Sequence, residues 1–369
     1  MSWKEYKLQN KRAAEHLSWG GITHPNILRC KDDSVLGIIS YQPYRMEKET
    51  QRIALPSFQS GWSIWFEEQQ ERTGVRHSYL TVSWMPFRSM DGKVKNTLTG
   101  EKIKIEALED ALAAALHTLA ASFPAEAQAH ILSYQEIVDY LTFSLTLGRT
   151  HVVMPDVPVD FDVYLTAGID LDFTSNHVRL GDEMFLVLTL PSVVGSQEPV
   201  LRQITEDLHG AGIPCRHVQR LLLFNEKEAE RELRSYTGKW CPSRKYIKDI
   251  LTGHTLQRLN GYYNNQTIAL VSKEDYARTE AYLEKLLGTL GLPYIVEDYN
   301  AKDLWWGSLP GLFRAAVVPP ICGFRTIEEL LATKSIRQHK EAQAPLELPG
   351  IEELIDLPNE WEESEYVPS

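Results

Sequence analysis

The sequence predicts an α+β protein with mixed or antiparallel sheets, helices on one face, and a ferredoxin-like second half. Three observations lead there. Two early segments, Trp62–Phe66 and His77–Trp84, alternate in polarity as half-buried strands do. Glu106–Ser122 is rich in Ala and Leu, the composition of a helix. Between Met184 and Tyr299, strand-like and helix-like segments succeed one another as βαβ and again βαβ, with one polar helix inserted.

Along the chain, Leu28–Ser40 is extended and is broken by a turn at Lys31-Asp32-Asp33. In the next strand Trp62, Ile64 and Phe66 share a face, and Ser63 and Trp65 share the other. Leu80, Val82 and Trp84 repeat the pattern, and Pro86 ends it. After the Glu106–Ser122 helix, Ser133 and Glu136 form a capping box that opens a second helix with Ile137, Leu141 and Leu145 on its apolar face. Pro155, Pro158 and the Asp-rich stretch 156–172 break the pattern, so residues 1–152 are expected to form one α+β subdomain.

Residues 153–325 carry the ferredoxin-like expectation. Met184–Leu190 is a continuous apolar run, hence a buried strand. Val200, Ile204 and Leu208 recur every four residues, and Gly210 and Gly212 stop that helix. Pro214–Phe224 is a strand, and Asn225 with Glu228 caps a polar helix to about Trp240. Thr267–Val271 is a strand. Ser272 and Asp275 cap a helix striped by Leu283, Leu286, Leu287 and Leu290, which Gly291 ends before the strand Tyr294–Tyr299. Two helices then cover one sheet face and leave the other for a second layer or a partner. A helix is expected over 326–338, within a terminal unit ending at 340, and an acidic, Pro-rich flexible tail over 341–369.

Of 369 residues, 43% are apolar and 24% charged, with a net charge of −12. That balance excludes collagen-like, mucin-like and wholly disordered classes. The tail has nine acids (Glu341, Glu347, Glu352, Glu353, Asp356, Glu360, Glu362, Glu363, Glu365) and no base, so −9 of the −12 lies there and the body holds −3. A duplex binder shows a basic excess that neutralises phosphates, so no direct nucleic-acid contact is expected. Cys30, Cys215, Cys241 and Cys322 form no Cys-x-x-Cys pair, which points to reduced thiols in a cytoplasmic setting. The longest uncharged stretches, Ala111–Ala125 and Met184–Gln197, are shorter than the ~18–20 residues of a membrane span.

No catalytic motif emerges. Gly92-Lys93 and Gly238-Lys239 lack the upstream Gly and the following Ser or Thr of a phosphate-binding loop. Cys215 and His217, with His209 upstream, are two metal-ligand types on one strand face but have no third ligand at motif spacing. Asp170 and Asp172 read as a solvated loop before they read as a cation or general-acid pair. In Gly307-Ser308-Leu309-Pro310-Gly311 the Ser is second, where a nucleophile elbow has it central, so the segment is a tight turn. Trp305-Trp306 reads either as an exposed aromatic anchor for a partner or as core packing. The interaction candidates are therefore Trp305, Trp306, Gly307, Ser308, Leu309, Pro310 and Gly311. No catalytic residue, cofactor or metal is expected.

Several stretches resemble the N-terminal region of the conjugal-transfer ATPases of the TrbE/CagE/VirB class, the motors of type IV secretion, and the TrbE-like branch in particular. They are Leu17-Ser-Trp19-Gly20-Gly21 with Pro25 and Lys31-Asp32-Asp33-Ser34, then Ser60-Gly61-Trp62 with Glu67-Glu68-Gln69, and His77-Ser-Tyr-Leu80 through Trp84-Met-Pro86. Tyr164-Leu165, Leu180-Gly181-Asp182 and Val187 through Ser192 follow, and after them Cys215-Arg216-His217 and Arg220. Ala229-Glu230, Glu232-Leu233, Trp240, Arg244-Lys245, Gly261-Tyr262-Tyr263, Asn300-Ala301 and Trp305 through Gly311 complete the order over roughly residues 15–318. In that family an ATPase domain with Walker motifs follows, whereas here the acidic tail does. The resemblance implies a docking and assembly module without a hydrolytic site. Its expected partners are inner-membrane secretion components, sister subunits, or an ATPase domain in trans, and its expected place is cytoplasmic, peripheral to the inner membrane. Two other readings stay open: a nucleotide- or phosphate-handling enzyme with an unrecognised site, and a regulator whose acidic tail mimics DNA.

Overall fold

A computed structural model describes residues 17–24, 26–32, 34–42, 53–55, 62–84, 105–148, 152–153, 159–173, 177–189, 204, 206–208, 210–223, 261–289, 295–297, 301–312, 323–325 and 336–338. The α+β class holds. β1 (Trp19–His24), β2 (Ile27–Cys30) and β3 (Val35–Tyr41) form a meander, because Lys31 and Asp32 turn the chain and Asp32 Oδ1 accepts from the Ser34 amide at 3.2 Å. β5 (Trp62–Gln70) and β6 (Arg76–Trp84) make the next hairpin, and β6 pairs with β3. β4 (Ile53–Leu55) lies apart.

Residues beyond the expected break continue the same sheet. β10 (Glu183–Thr189), β11 (Cys215–Leu223) and β12 (Gly261–Ser272) are long strands, and β11 pairs with β5 from Cys215↔Gln70 to Leu222↔Ser63. Short strands β7 (His130–Ile131), β8 (Leu171–Phe173), β9 (Val178–Leu180), β13 (Ile295–Val296) and β14 (Gly323–Arg325) complete a 13-stranded antiparallel sheet, whose main order is β1-β2-β3-β6-β5-β11-β12-β10-β9-β8. Within its second half the order is β13-β10-β12-β11, each pair antiparallel.

Both faces carry helices. In chain order these are α1 (Ile105–Ser122), α2 (Tyr134–Thr146), α3 (Phe161–Thr166), α4 (Tyr276–Thr289) and α5 (Ala301–Gly307). On the first face lies α1, whose Leu112, Leu116 and Leu119 pack on Ile64, Phe66, Leu80, Val82 and Trp84. Those strand residues are the alternating set read from the sequence. Gly37 of β3 permits the contact, since a Cβ there would stand 2.1 Å from Leu116 Cδ1. In a neighbouring cluster, Ile204 and Leu208, both in helical conformation, join Tyr276 and Leu283 of α4 over Leu186, Leu188, Ala269 and Val271.

The second face is not left open. Its cover is α2, α3 and α5, with Ile137, Leu141, Leu145, Phe161, Leu165, Leu304 and Trp305 in one core with Leu36, Ile38, Phe185, Val187 and Ile268. The capping box of α2 forms as expected, with the Ser133 amide donating to Glu136 Oε2 at 2.7 Å. Ser272 Oγ likewise accepts from the Asp275 amide at 3.1 Å ahead of α4.

One expectation is corrected. Ile336–Gln338 is a strand, β15, pairing in parallel with Ile53–Leu55, where a helix over 326–338 was expected. A Thr-Glu capping pattern is local, whereas this pairing joins segments about 280 residues apart, which no local signal records. Residues 326–335, the segment read as a polar helix after Asn225, Leu290 and the tail 341–369 lie outside the described residues.

Candidate functional site

The seven interaction candidates come together at the end of α5, inside the chain's own core. Trp305 is 0% exposed, Trp306 4% and Ser308 0%. Of the two readings of the Trp pair, core packing is the one the structure has. Trp305 stacks at a tilt on Phe185 of β10, centroids 5.2 Å apart, and meets Trp306 edge-on at 4.8 Å. Gly307 through Gly311 form the turn that follows. Gly311 has φ +73°, and a Cβ there would lie 2.9 Å from Leu36 Cδ2 and 3.3 Å from Cys30 Sγ. Gly311→Ala therefore combines left-handed strain with overpacking and is expected to cost about 1–3 kcal/mol, measured by denaturant unfolding.

What holds this turn is a polar network that the sequence reading did not assemble. The last carbonyls of a helix have no intrahelical partner. Here two arginines of β11 bond the last helix carbonyl and carbonyls of the turn after it. Arg216 donates from Nη1 to the Ser308 carbonyl at 2.8 Å and from Nη2 to Ser308 Oγ at 2.5 Å. Arg220 donates from Nη2 to the Gly307 carbonyl and from Nη1 to the Leu312 carbonyl at 3.4 Å. Its guanidinium also lies 3.8 Å from the centroid of Trp65, a cation–π contact. Ser308 Oγ donates its own hydrogen to the Trp305 carbonyl at 2.6 Å. From β1, Trp19 Nε1 donates to the Pro310 carbonyl at 2.7 Å.

The network's negative pole is Glu67 of β5, which shares the sheet face of Arg216. Its carboxylate lies 3.8 Å from Arg216 Nη1, both side chains being fully buried. Tyr140 Oη donates to Glu67 Oε2 at 2.7 Å and Gln69 Nε2 to Oε1 at 2.8 Å. Gln69 also donates to Ser144 Oγ at 3.1 Å. Burial pushes the Tyr140 hydroxyl well above its usual range, and the adjacent Glu67 charge pushes the same way. Burial lowers the affinity of Arg216 for its proton, while Glu67 opposes that. Both residues keep their ordinary protonation states: a neutral phenol donor and a guanidinium cation. A buried ion pair with these extra hydrogen bonds satisfies most of its desolvated atoms, the condition under which such a pair is tolerable.

Chemically, the arrangement is closed. Ser308 Oγ donates to the Trp305 carbonyl and accepts from Arg216, a pair of partners that cannot activate it as a nucleophile. Glu67 is enclosed by donors. The signal that could have exposed the network is the presence of Glu67, Arg216 and Arg220 inside strands, at alternation positions that face the core.

The remaining candidates do not converge on it. Cys215 and His217 share the opposite sheet face, where His217 Nδ1 is 2.9 Å from Thr267 Oγ1, and His209 is outside the described residues. Asp172 pairs with Arg179 at 3.1 Å. Among the described residues no group of three or more His, Cys, Asp or Glu is placed to hold a metal. Burial pushes the thiols of Cys30 and Cys215 up to about 12. At pH 8 the thiolate fraction is then on the order of 10⁻⁴, so alkylation by iodoacetamide should leave both unmodified until the chain is unfolded; native labelling at either would contradict the burial.

A cleft of about 440 Å³ opens elsewhere, between α4 and the Gly212–Pro214 turn. Its charged groups meet one another: Arg72 with Glu183, Arg278 with Asp275 at 2.7 Å, and Tyr282 Oη with Asp207 at 3.0 Å. Among the described residues no helix is long and apolar enough to cross a membrane.

No family model matches the sequence. Over 235 residues it is 23% identical to the conjugal transfer protein TrbE of Rhizobium radiobacter, an alignment that covers 56% of this chain and 27% of that protein. The chain thus spans about a quarter of the length of that relative, and the similarity supports a relationship to conjugal-transfer proteins.

Proposed function

We propose that this chain is a docking and assembly module of a conjugative DNA-transfer or type IV secretion motor, which grips inner-membrane channel components and sister subunits and does not itself hydrolyse nucleotide. The observation that carries the reading is the similarity to a conjugal transfer protein over 235 residues. The closed polar network supports it, because the charged groups that a catalytic centre would present to a substrate are spent on internal bonds. The antiparallel β13-β10-β12-β11 order supports reading the second half as a ferredoxin-like unit, a platform for such contacts. An ATPase domain would be among its partners, and the chain would reach the membrane through others.

Affinity purification of the tagged chain from cells carrying a transfer system tests this. The expected result is recovery of an inner-membrane channel protein or a motor subunit in stoichiometric amount, through an interface burying roughly 1,200–2,000 Å². Recovery of neither would contradict the proposal. Titration calorimetry with ATP and magnesium should show no binding. Micromolar binding would favour the nucleotide-handling reading.

A further inference from the structure

The cleft of about 440 Å³ between α4 and the Gly212–Pro214 turn shares no lining residue with the Arg216 network, and its lining has a definite chemistry. Its floor is the edge of an apolar core: Leu208, Ile213 and Val271. Its rim is charged. Among the described residues Glu183, Asp207 and Asp275 stand against Arg72 and Arg278, three carboxylates to two guanidinium groups, so the lining sums to −1. Arg72 pairs with Glu183, and Arg278 lies 2.7 Å from Asp275. The amides that open a helix attract anions. At the start of α4 the Asp275 carboxylate, which accepts from Ser272 Oγ at 2.8 Å, already stands there and would repel one. From the same helix Tyr282 is 50% exposed, and its Oη donates to Asp207 Oδ2 at 3.0 Å. That bond pushes the hydroxyl above its usual range, so the side chain stays a neutral phenol.

We propose that this cleft receives an arginine side chain presented by a partner protein. Each part of such a side chain finds a match. Its methylene stem lies on the apolar floor, as the stems of long basic side chains do. Its guanidinium meets the Tyr282 ring in a cation–π contact and the Asp207 carboxylate through charge-assisted hydrogen bonds. A carboxylate has about four acceptor sites, so the Tyr282 bond leaves capacity for a fork of two N–H donors. The volume falls within the roughly 300–1,000 Å³ of ordinary ligand sites. A phosphate group is a poor match, because three carboxylates would face it. The inference rests on the docking reading, for which it names the chemistry of one contact.

Titration of the ¹⁵N-labelled full chain with N-acetyl-arginine amide, followed by amide chemical shifts, tests it. The amides of Gly212, Ser272 and Thr279 should shift and saturate in the millimolar range expected of a single side chain, while that of Val218 in β11 stays in place. Asp207→Asn should weaken binding about tenfold, and Tyr282→Leu, which keeps an apolar side chain, about threefold. The apolar analogue N-acetyl-norleucine amide and inorganic phosphate should leave the three amides unmoved. No saturable shift, equal shifts with the norleucine amide, stronger shifts with phosphate, or an affinity unchanged by Asp207→Asn would overturn the proposal. Its failure is separable from that of the docking reading. Arginine binding without capture of a channel protein or motor subunit retires the docking reading and keeps the pocket; capture without arginine binding does the reverse.

Discussion

Arg216→Met lowers the free energy of unfolding by about 3–5 kcal/mol, as expected when one partner of a buried ion pair is removed and the other is left without its counter-charge. Glu67 then keeps its Tyr140 and Gln69 donors at 2.7 and 2.8 Å but loses the cation that stood 3.8 Å away. The Ser308 carbonyl and hydroxyl lose their arginine donors at the same time. Urea unfolding of the wild type, Arg216→Met, Glu67→Gln and the double variant measures the effect. Adding Glu67→Gln to Arg216→Met should restore part of the loss, because a neutral amide tolerates burial where an unpaired carboxylate does not. Strict additivity of the two single effects would show that the 3.8 Å pair carries no coupling.

Trp305→Ala should cost about 3–5 kcal/mol in the same measurement, the range for removing a large aromatic from a core that relaxes only in part. The side chain is fully buried against Phe185 and Trp306, which are themselves held in the core and cannot swing into its place. Trp305→Phe retains the ring contact with Phe185 and should recover about half of that loss. Partner capture by the Phe variant should match the wild type once folded protein is compared with folded protein. A selective loss of capture, with stability intact, would show that the Trp pair reaches beyond the chain.

Much of the architecture was legible because half-buried strands and one-faced helices write their period into the sequence. Ile64, Phe66, Leu80, Val82 and Trp84 lie together under α1 as their alternation requires. Ser133 and Glu136 open α2 where the capping box stands. Strand ends were harder to read. β5 runs on through Glu67, Glu68, Gln69 and Gln70, residues that locally signal a surface, because β11 pairs with it along that whole length and β6 flanks the other side. β12 begins at Gly261, six residues before the apolar run Thr267–Val271. In both places a long-range partner decides, and sequence periodicity carries no record of it. The second sheet face, read as open to a second layer or a partner, carries a layer, and its source was not legible because α2, α3 and α5 come from three separate stretches of chain.

The candidate site divides in the same way. The Gly307–Gly311 turn was legible from Pro310 and Gly311, and the positive φ of Gly311 agrees. Its role was not, because Arg216 and Arg220 lie more than 80 positions away and only tertiary structure brings their guanidinium groups under the turn. Quoted singly, Trp19, Glu67, Arg216 and Ser308 are scattered residues. Assembled, they join both halves of the sheet to one helix end.

The Trp305–Gly311 segment acts inside this fold, locked by β11. Native-state hydrogen exchange at the amides of Ser308, Leu309 and Leu312 tests it most directly, since these donate to Leu304, Trp306 and Leu309 beneath the arginine contacts. They should exchange through the same global opening as Val218 in the middle of β11, with protection within about one order of magnitude of it. Exchange of these amides at the rate of an open loop, while Val218 stays protected, would contradict the lock and return the segment to the surface as a partner's anchor.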